Sequence, residues 1–235
     1  MYSKDVTICA CTSRTFMDKN KVAEIAATLK GNGYQVKITE DLCRLVADNP
    51  DQTKDAAKGT IIACHRRVVN NQMNWLGIAP GPIVEARKTS TNDVIALFEI
   101  TKQNTEEAKA ELLKEIEALP VHEGKDAWYP VIDKSKCTDC GKCHDFCLFG
   151  VYTVINKQVK VTKPHNCKNN CPACARMCPS QAIIFPKYEK SPINGGIEIE
   201  EVFSEEDKAA MYQKRLQYRL QQNRNRFSML KKDNQ

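Results

Sequence analysis

Eight cysteines between positions 137 and 178 constrain this chain more than any other feature. They form two runs, Cys137-x2-Cys140-x2-Cys143-x3-Cys147 and, thirty residues on, Cys167-x3-Cys171-x2-Cys174-x3-Cys178-Pro179. Two-residue spacers let a backbone wrap one corner of a cubic metal–sulfur cage, so that successive sulfurs reach different metal atoms. A fourth cysteine three residues later points away, toward a second cage. Disulfides do not suit the pattern: the start, MYSKDVTICACTS, carries no secretory signal, and reducing compartments keep thiols free. Zinc sites of four cysteines also use C-x2-C pairs, and eight cysteines suffice for two ions. Such sites nevertheless separate their pairs by a loop, whereas four closely spaced cysteines followed by proline suit interleaved cubes.

Over residues 131–187 the pattern resembles the two-cluster bacterial-type ferredoxin domain. That resemblance implies an α+β ferredoxin-like unit with two [4Fe–4S] clusters, one on Cys137, Cys140, Cys143 and Cys178, the other on Cys167, Cys171, Cys174 and Cys147. The intervening residues agree. Val151, Tyr152 and Val154 with Val159 and Val161 predict a hairpin around Asn156-Lys157, and Ala182–Phe185 predicts a strand after the second run, all apolar groups suited to shielding the cubes. Two departures stand out. Leu148 occupies the usual place of a proline, and Lys168, Asn169 and Asn170 make a three-residue spacer where two residues are commoner.

The first hundred residues alternate strand and helix signals. Strands are expected at 6–11, 35–39 and 60–64, with a fourth after the Pro80-Gly81-Pro82 turn. The stretch 18–34 predicts a helix capped by Asp18 with Val22, Ile25, Ala26 and Leu29 on one face and Gly31 or Gly33 at its end. Residues 41–48 read as a short helical or irregular piece, 51–58 as a helix before Gly59, and 92–100 and 105–119 as helices, the last capped by Thr105. Strands separated by helices imply parallel β-α-β units, hence an α/β domain with a parallel sheet and flanking helices over 1–119. A linker is expected at 120–130 and an extension at 188–235, with a helical tail over 204–230.

Four further cysteines, Cys9, Cys11, Cys43 and Cys64, have no short-range motif. Cys9, Cys11 and Cys64 nevertheless fall at C-terminal ends of expected parallel strands, and Cys43 in the segment between, where ligands gather in open α/β sheets. The pieces ICACTSR (8–14), EDLCRLVADNPDQ (40–52) and IIACHRR (61–67) resemble, in order and spacing, the N-terminal domain of the heterodisulfide reductase A subunit. The resemblance implies a third [4Fe–4S] cluster on Cys9, Cys11, Cys43 and Cys64. Buried thiols, a zinc site or a redox thiol pair are the alternatives for these four. Arg14, Arg66 and Arg67 are candidate cations beside an anionic cluster, or simply exposed charge, and His65 is expected to be solvated. That subunit also has a flavin domain with a Gly-x-Gly-x-x-Gly loop. None occurs in this sequence, so neither flavin nor NAD is expected on this chain.

The net charge of +6 counts every cysteine as neutral. Residues 204–235 carry eight Lys/Arg against four Asp/Glu, so the rest of the chain is only +2. Each cube on four thiolates adds about −2, which leaves the body neutral or acidic and argues against nucleic acid. No run approaches the roughly 18 apolar residues of a membrane span, and a cytoplasmic protein is expected. The expected function is non-catalytic relay of single electrons between redox partner proteins, a flavin-containing oxidoreductase foremost, in a heterodisulfide-reductase-like system. A cluster-containing enzyme and a redox-sensing or nucleic-acid-binding protein with a basic tail are the alternatives.

Overall fold

The computed structural model describes residues 2–102, 105–121 and 126–196, together with Gln213 and Gln217, which are helical. The remainder of the expected tail, 204–230, lies outside the described residues.

In chain order the first half runs β1 (Asp5–Cys9), α1 (Lys19–Gly31), β2 (Gln35–Thr39), α2 (Leu42–Asp48), α3 (Pro50–Ala57), β3 (Thr60–Ala63), α4 (Arg66–Trp75), β4 (Ile83–Glu85), α5 (Thr91–Ile95) and α6 (Glu106–Glu117). The strands form one parallel sheet in the order β2-β1-β3-β4. Val6, Ile8, Ile61, Ile62 and Val84 are all buried, as in a sheet covered on both faces. Helix α1 starts because the Asp18 carboxylate accepts from the Lys21 amide, buries Val22, Ile25, Ala26 and Leu29, and ends where Gly33 takes a positive φ of 79°.

This is the expected α/β architecture, with two differences. The helix expected over 92–100 spans only Thr91–Ile95. Helix α4, which was not expected, opens at His65 without a side-chain cap and is rich in Asn and Gln, so its local signals are weak.

From β1 the chain moves to β2 on one side, and from β3 to β4 on the other, so the direction of winding reverses between the adjacent strands β1 and β3. Between β1 and β3 lies the topological switch point, the place where open α/β sheets form a crevice at the C-terminal strand ends.

The second half adds β5 (Val131–Ile132), α7 (Lys142–Phe146), β6 (Tyr152–Ile155), β7 (Gln158–Val161), α8 (Ala173–Met177) and β8 (Ile183–Ile184). β5 pairs antiparallel with β8, and β6 with β7. The β6–β7 turn is Asn156-Lys157, both at positive φ, the two-residue turn whose twist matches a hairpin.

The halves share a core. Of the segment expected to link them, Ala127, Trp128 and Tyr129 are buried, and Tyr129, Val131 and Ile184 pack in the cluster that also holds the sheet. Helix α4 lies against β5, and its Arg67 makes a buried ion pair with Asp133 at 2.7 Å.

Candidate metal centres

The four N-terminal cysteines meet at the crevice. Cys9 ends β1, Cys11 follows it, Cys43 lies in the first turn of α2 and Cys64 follows β3; all four are buried. Cys11 has a φ of 52°, a left-handed conformation that a non-glycine residue adopts only when its surroundings hold it there.

Asp41 builds the floor. As N-cap of α2, its Oδ1 accepts from the amides of Cys43 at 3.0 Å and Arg44 at 3.4 Å, and its Oδ2 accepts from the Ser13 hydroxyl at 2.6 Å. The Leu42 amide donates to Cys9 Sγ at 3.3 Å, and the Tyr129 hydroxyl donates to the Cys43 carbonyl at 2.7 Å. The sequence reading missed one member entirely. Lys187, three residues beyond β8, inserts its ammonium between Asp41 Oδ2 at 2.8 Å and Cys11 Sγ at 3.3 Å, with both charged side chains 1% exposed.

The electrostatics follow from crowding. A hydrogen bond from Cys9 lowers the Cys11 pKa to about 6, and the same bond, together with burial, raises that of Cys9 well above the ordinary thiol value. Burial pushes Cys64 up to about 12 and raises Cys43 strongly. For Lys187, burial opposes the charge, but the fields of Cys43, Cys11 and Asp41 outweigh it and hold its pKa well above that of an ordinary lysine.

The C-terminal cysteines of the two runs lie close to one another. Burial and then the fields of Cys178, Cys174 and Cys137 push Cys143 up to about 12. Burial and then Cys174, Cys171 and Cys147 do the same to Cys167. Cys137, Cys140, Cys143 and Cys178 also line one cavity, closed by Ile132, Val159, Ala182 and Ile183. Cys178 of the second run thus lies near Cys143 of the first, and Cys147 of the first run near Cys167 of the second, with Cys174 acting on both.

Donors already aim at these sulfurs: the Asp139 amide at Cys137 (3.4 Å), the Ala182 amide at Cys178 (3.3 Å) and the Tyr152 hydroxyl at Cys174 (3.0 Å). All twelve cysteines are free thiols. Soft thiolates packed this closely resist ionising together unless a multivalent cationic core compensates them, so the donor sets fit an iron–sulfur group.

Over 67 residues, 28% of its length, the chain is 49% identical to an uncharacterized ferredoxin of Methanocaldococcus jannaschii. Part of this chain is similar to a ferredoxin. The match takes in 45% of that protein, so the chain spans about half the length of the curated relative it matches. No family model matches the chain.

Of the three candidate arginines, Arg66 is exposed, while the other two are engaged away from the N-terminal cysteines. Arg67 is buried and pairs with Asp133 rather than with a cysteine. Arg14 pairs with Asp126 and donates to Asn170, so the Cys167-x3-Cys171 spacer is tied to the first half. His65 is fully buried, not solvated. Its Nδ1 lies 3.1 Å from Glu85 Oε1 and its Nε2 3.4 Å from an Arg87 nitrogen, so it braces the end of β4. Among the described residues, no helix is long and apolar enough to cross a membrane.

Proposed function

We propose that this chain is an iron–sulfur electron-transfer protein or subunit holding three [4Fe–4S] clusters. Cys137, Cys140, Cys143 and Cys178 hold the first, Cys167, Cys171, Cys174 and Cys147 the second, and Cys9, Cys11, Cys43 and Cys64 the third. The observation that carries this reading is the nearness of Cys178 to Cys143 and of Cys147 to Cys167, each joining one run to the other as interleaved cubes require.

Such clusters supply reversible one-electron transfer. The chain's own residues supply the rest. The Tyr152, Val159, Val161, Ile183 and Phe185 cluster excludes water from the C-terminal sites, and the amide donors to Cys137 and Cys178 favour the more negative, reduced state. The third site sits at the crevice of the α/β half, in keeping with the resemblance to the heterodisulfide reductase A subunit. We therefore place the chain in a heterodisulfide-reductase-like or flavin-based oxidoreductase system. It takes or gives single electrons to a flavin-containing partner and carries no flavin or nicotinamide itself.

Anaerobically purified protein is expected to show a broad visible absorption that dithionite bleaches, with an EPR signal of reduced cubes appearing at the same time. Stoichiometric zinc with no bleaching refutes the proposal.

A further inference from the structure

The buried ammonium at the N-terminal site has no part in the reading above. Lysine is almost never fully buried unless paired. Lys187 has Asp41 as partner, yet that carboxylate is already engaged by the Ser13 hydroxyl and the amides of Cys43 and Arg44. The ammonium's second contact is a sulfur, Cys11 Sγ. A structural ion pair alone needs no thiol, and this lysine comes from the far end of the C-terminal half to reach one.

We propose that Lys187 is the resident counter-cation of the site formed by Cys9, Cys11, Cys43 and Cys64, and that it raises the reduction potential of the group held there. The inference rests on the three-cluster reading. Four thiolates around a core of about +2 make the oxidised site about −2, and one electron from a low-potential carrier protein makes it about −3, with no bond formed or broken. A fixed positive charge at hydrogen-bond distance, buried and poorly screened, stabilises the more negative state more than the less negative one. Asp41, on the opposite side of the same ammonium, acts in the reverse sense. The donors seen at the C-terminal sulfurs are of another kind, backbone amides and the Tyr152 hydroxyl. The two halves are therefore coupled by charge as well as by packing, because a residue beyond β8 sets the electronics of a site built on β1, α2 and β3.

The test is an EPR-monitored redox titration of the full chain, with the N-terminal signal identified by its absence in Cys64→Ser. Lys187→Met is expected to lower the reduced-to-oxidised ratio of that centre about tenfold at fixed potential, which is 59 mV for a one-electron couple. Asp41→Asn is expected to shift it the opposite way, and the C-terminal signals are expected to stay in place in both. Should Lys187→Met lose its N-terminal iron by leaving Asp41 unpaired, Asp41→Asn and Asp41→Asn/Lys187→Met form a matched pair that differs only in the ammonium, and the same tenfold difference is expected between them. An N-terminal centre whose midpoint is the same in that pair, or single variants that shift in the same direction, overturns the proposal and leaves the three-cluster reading intact. Wild-type protein with no third signal, and no iron lost in Cys64→Ser, overturns that reading and the proposal with it.

Discussion

The two cysteine-bearing regions solve the same problem by different means. Between Cys137 and Cys178 the sulfurs are brought together by local spacing in loops around two five-residue helices, which carry only Cys143 and Cys174, with Cys140 exposed and most of the others partly so. At the N-terminal site four fully enclosed cysteines arrive from three separate segments, placed only because β1 and β3 are neighbours in the sheet and α2 is capped by Asp41. One site is written into a short stretch of chain; the other exists only once the fold exists. The first is therefore expected to depend on bound metal for its order, and the second on the surrounding protein.

Stripping the iron tests that contrast with the largest effect. Thiolate metal sites contribute apparent binding free energies on the order of 10 kcal/mol to folding. Chelation is expected to abolish amide hydrogen-exchange protection over 131–187 while β1, β2 and β3 stay protected. Equal loss in both halves breaks the comparison.

The packing between the halves ranks next. Arg67→Met leaves Asp133 buried without its partner and is expected to cost about 3–5 kcal/mol in urea unfolding, with much of that recovered by adding Asp133→Asn. A cost under about 1 kcal/mol contradicts a desolvated pair.

Tyr129→Phe removes the hydroxyl that donates to the Cys43 carbonyl and accepts from Gln72 at 2.9 Å. A loss of about 1–3 kcal/mol is expected, together with faster exchange at α2, and an unchanged α2 decouples this residue from the site.

A smaller effect is expected from acid. Burial opposes ionisation of Asp133, but hydrogen bonds from Ser135 and Arg67 outweigh it and lower its pKa. The folded state therefore binds this proton less readily than the unfolded chain. Its stabilisation is present above the ordinary carboxylate value of about 4 and is lost as pH falls below it. Stability curves of the wild type and Asp133→Asn should converge in that range, and parallel curves contradict the assignment.

Smallest of all is Leu148→Ser. This side chain is 93% exposed beside Cys147, so a change within about 0.5 kcal/mol is expected in urea unfolding.

What was legible in the sequence follows the same division. The Asn156-Lys157 turn and the parallel α/β alternation are local signals, and each is found where expected. Lys187 was invisible because a single lysine after a strand carries no pattern; only the fold brings it beside Asp41 and Cys11. Residues 120–130 read as a linker because Pro120, Gly124 and charged residues dominate, although Trp128 and Tyr129 carried the apolar signal of a buried segment. His65 looked like surface histidine beside two arginines, and its burial depends on Glu85 from β4, which no spacing in the sequence announces.

The most direct test of the three-cluster account is iron and acid-labile sulfide per chain in wild-type, Cys143→Ser and Cys64→Ser proteins purified anaerobically. The account predicts about twelve irons for the wild type and about four fewer in each variant. About eight irons in the wild type, unchanged by Cys64→Ser, contradicts the third site. Negligible iron with stoichiometric zinc contradicts the account as a whole.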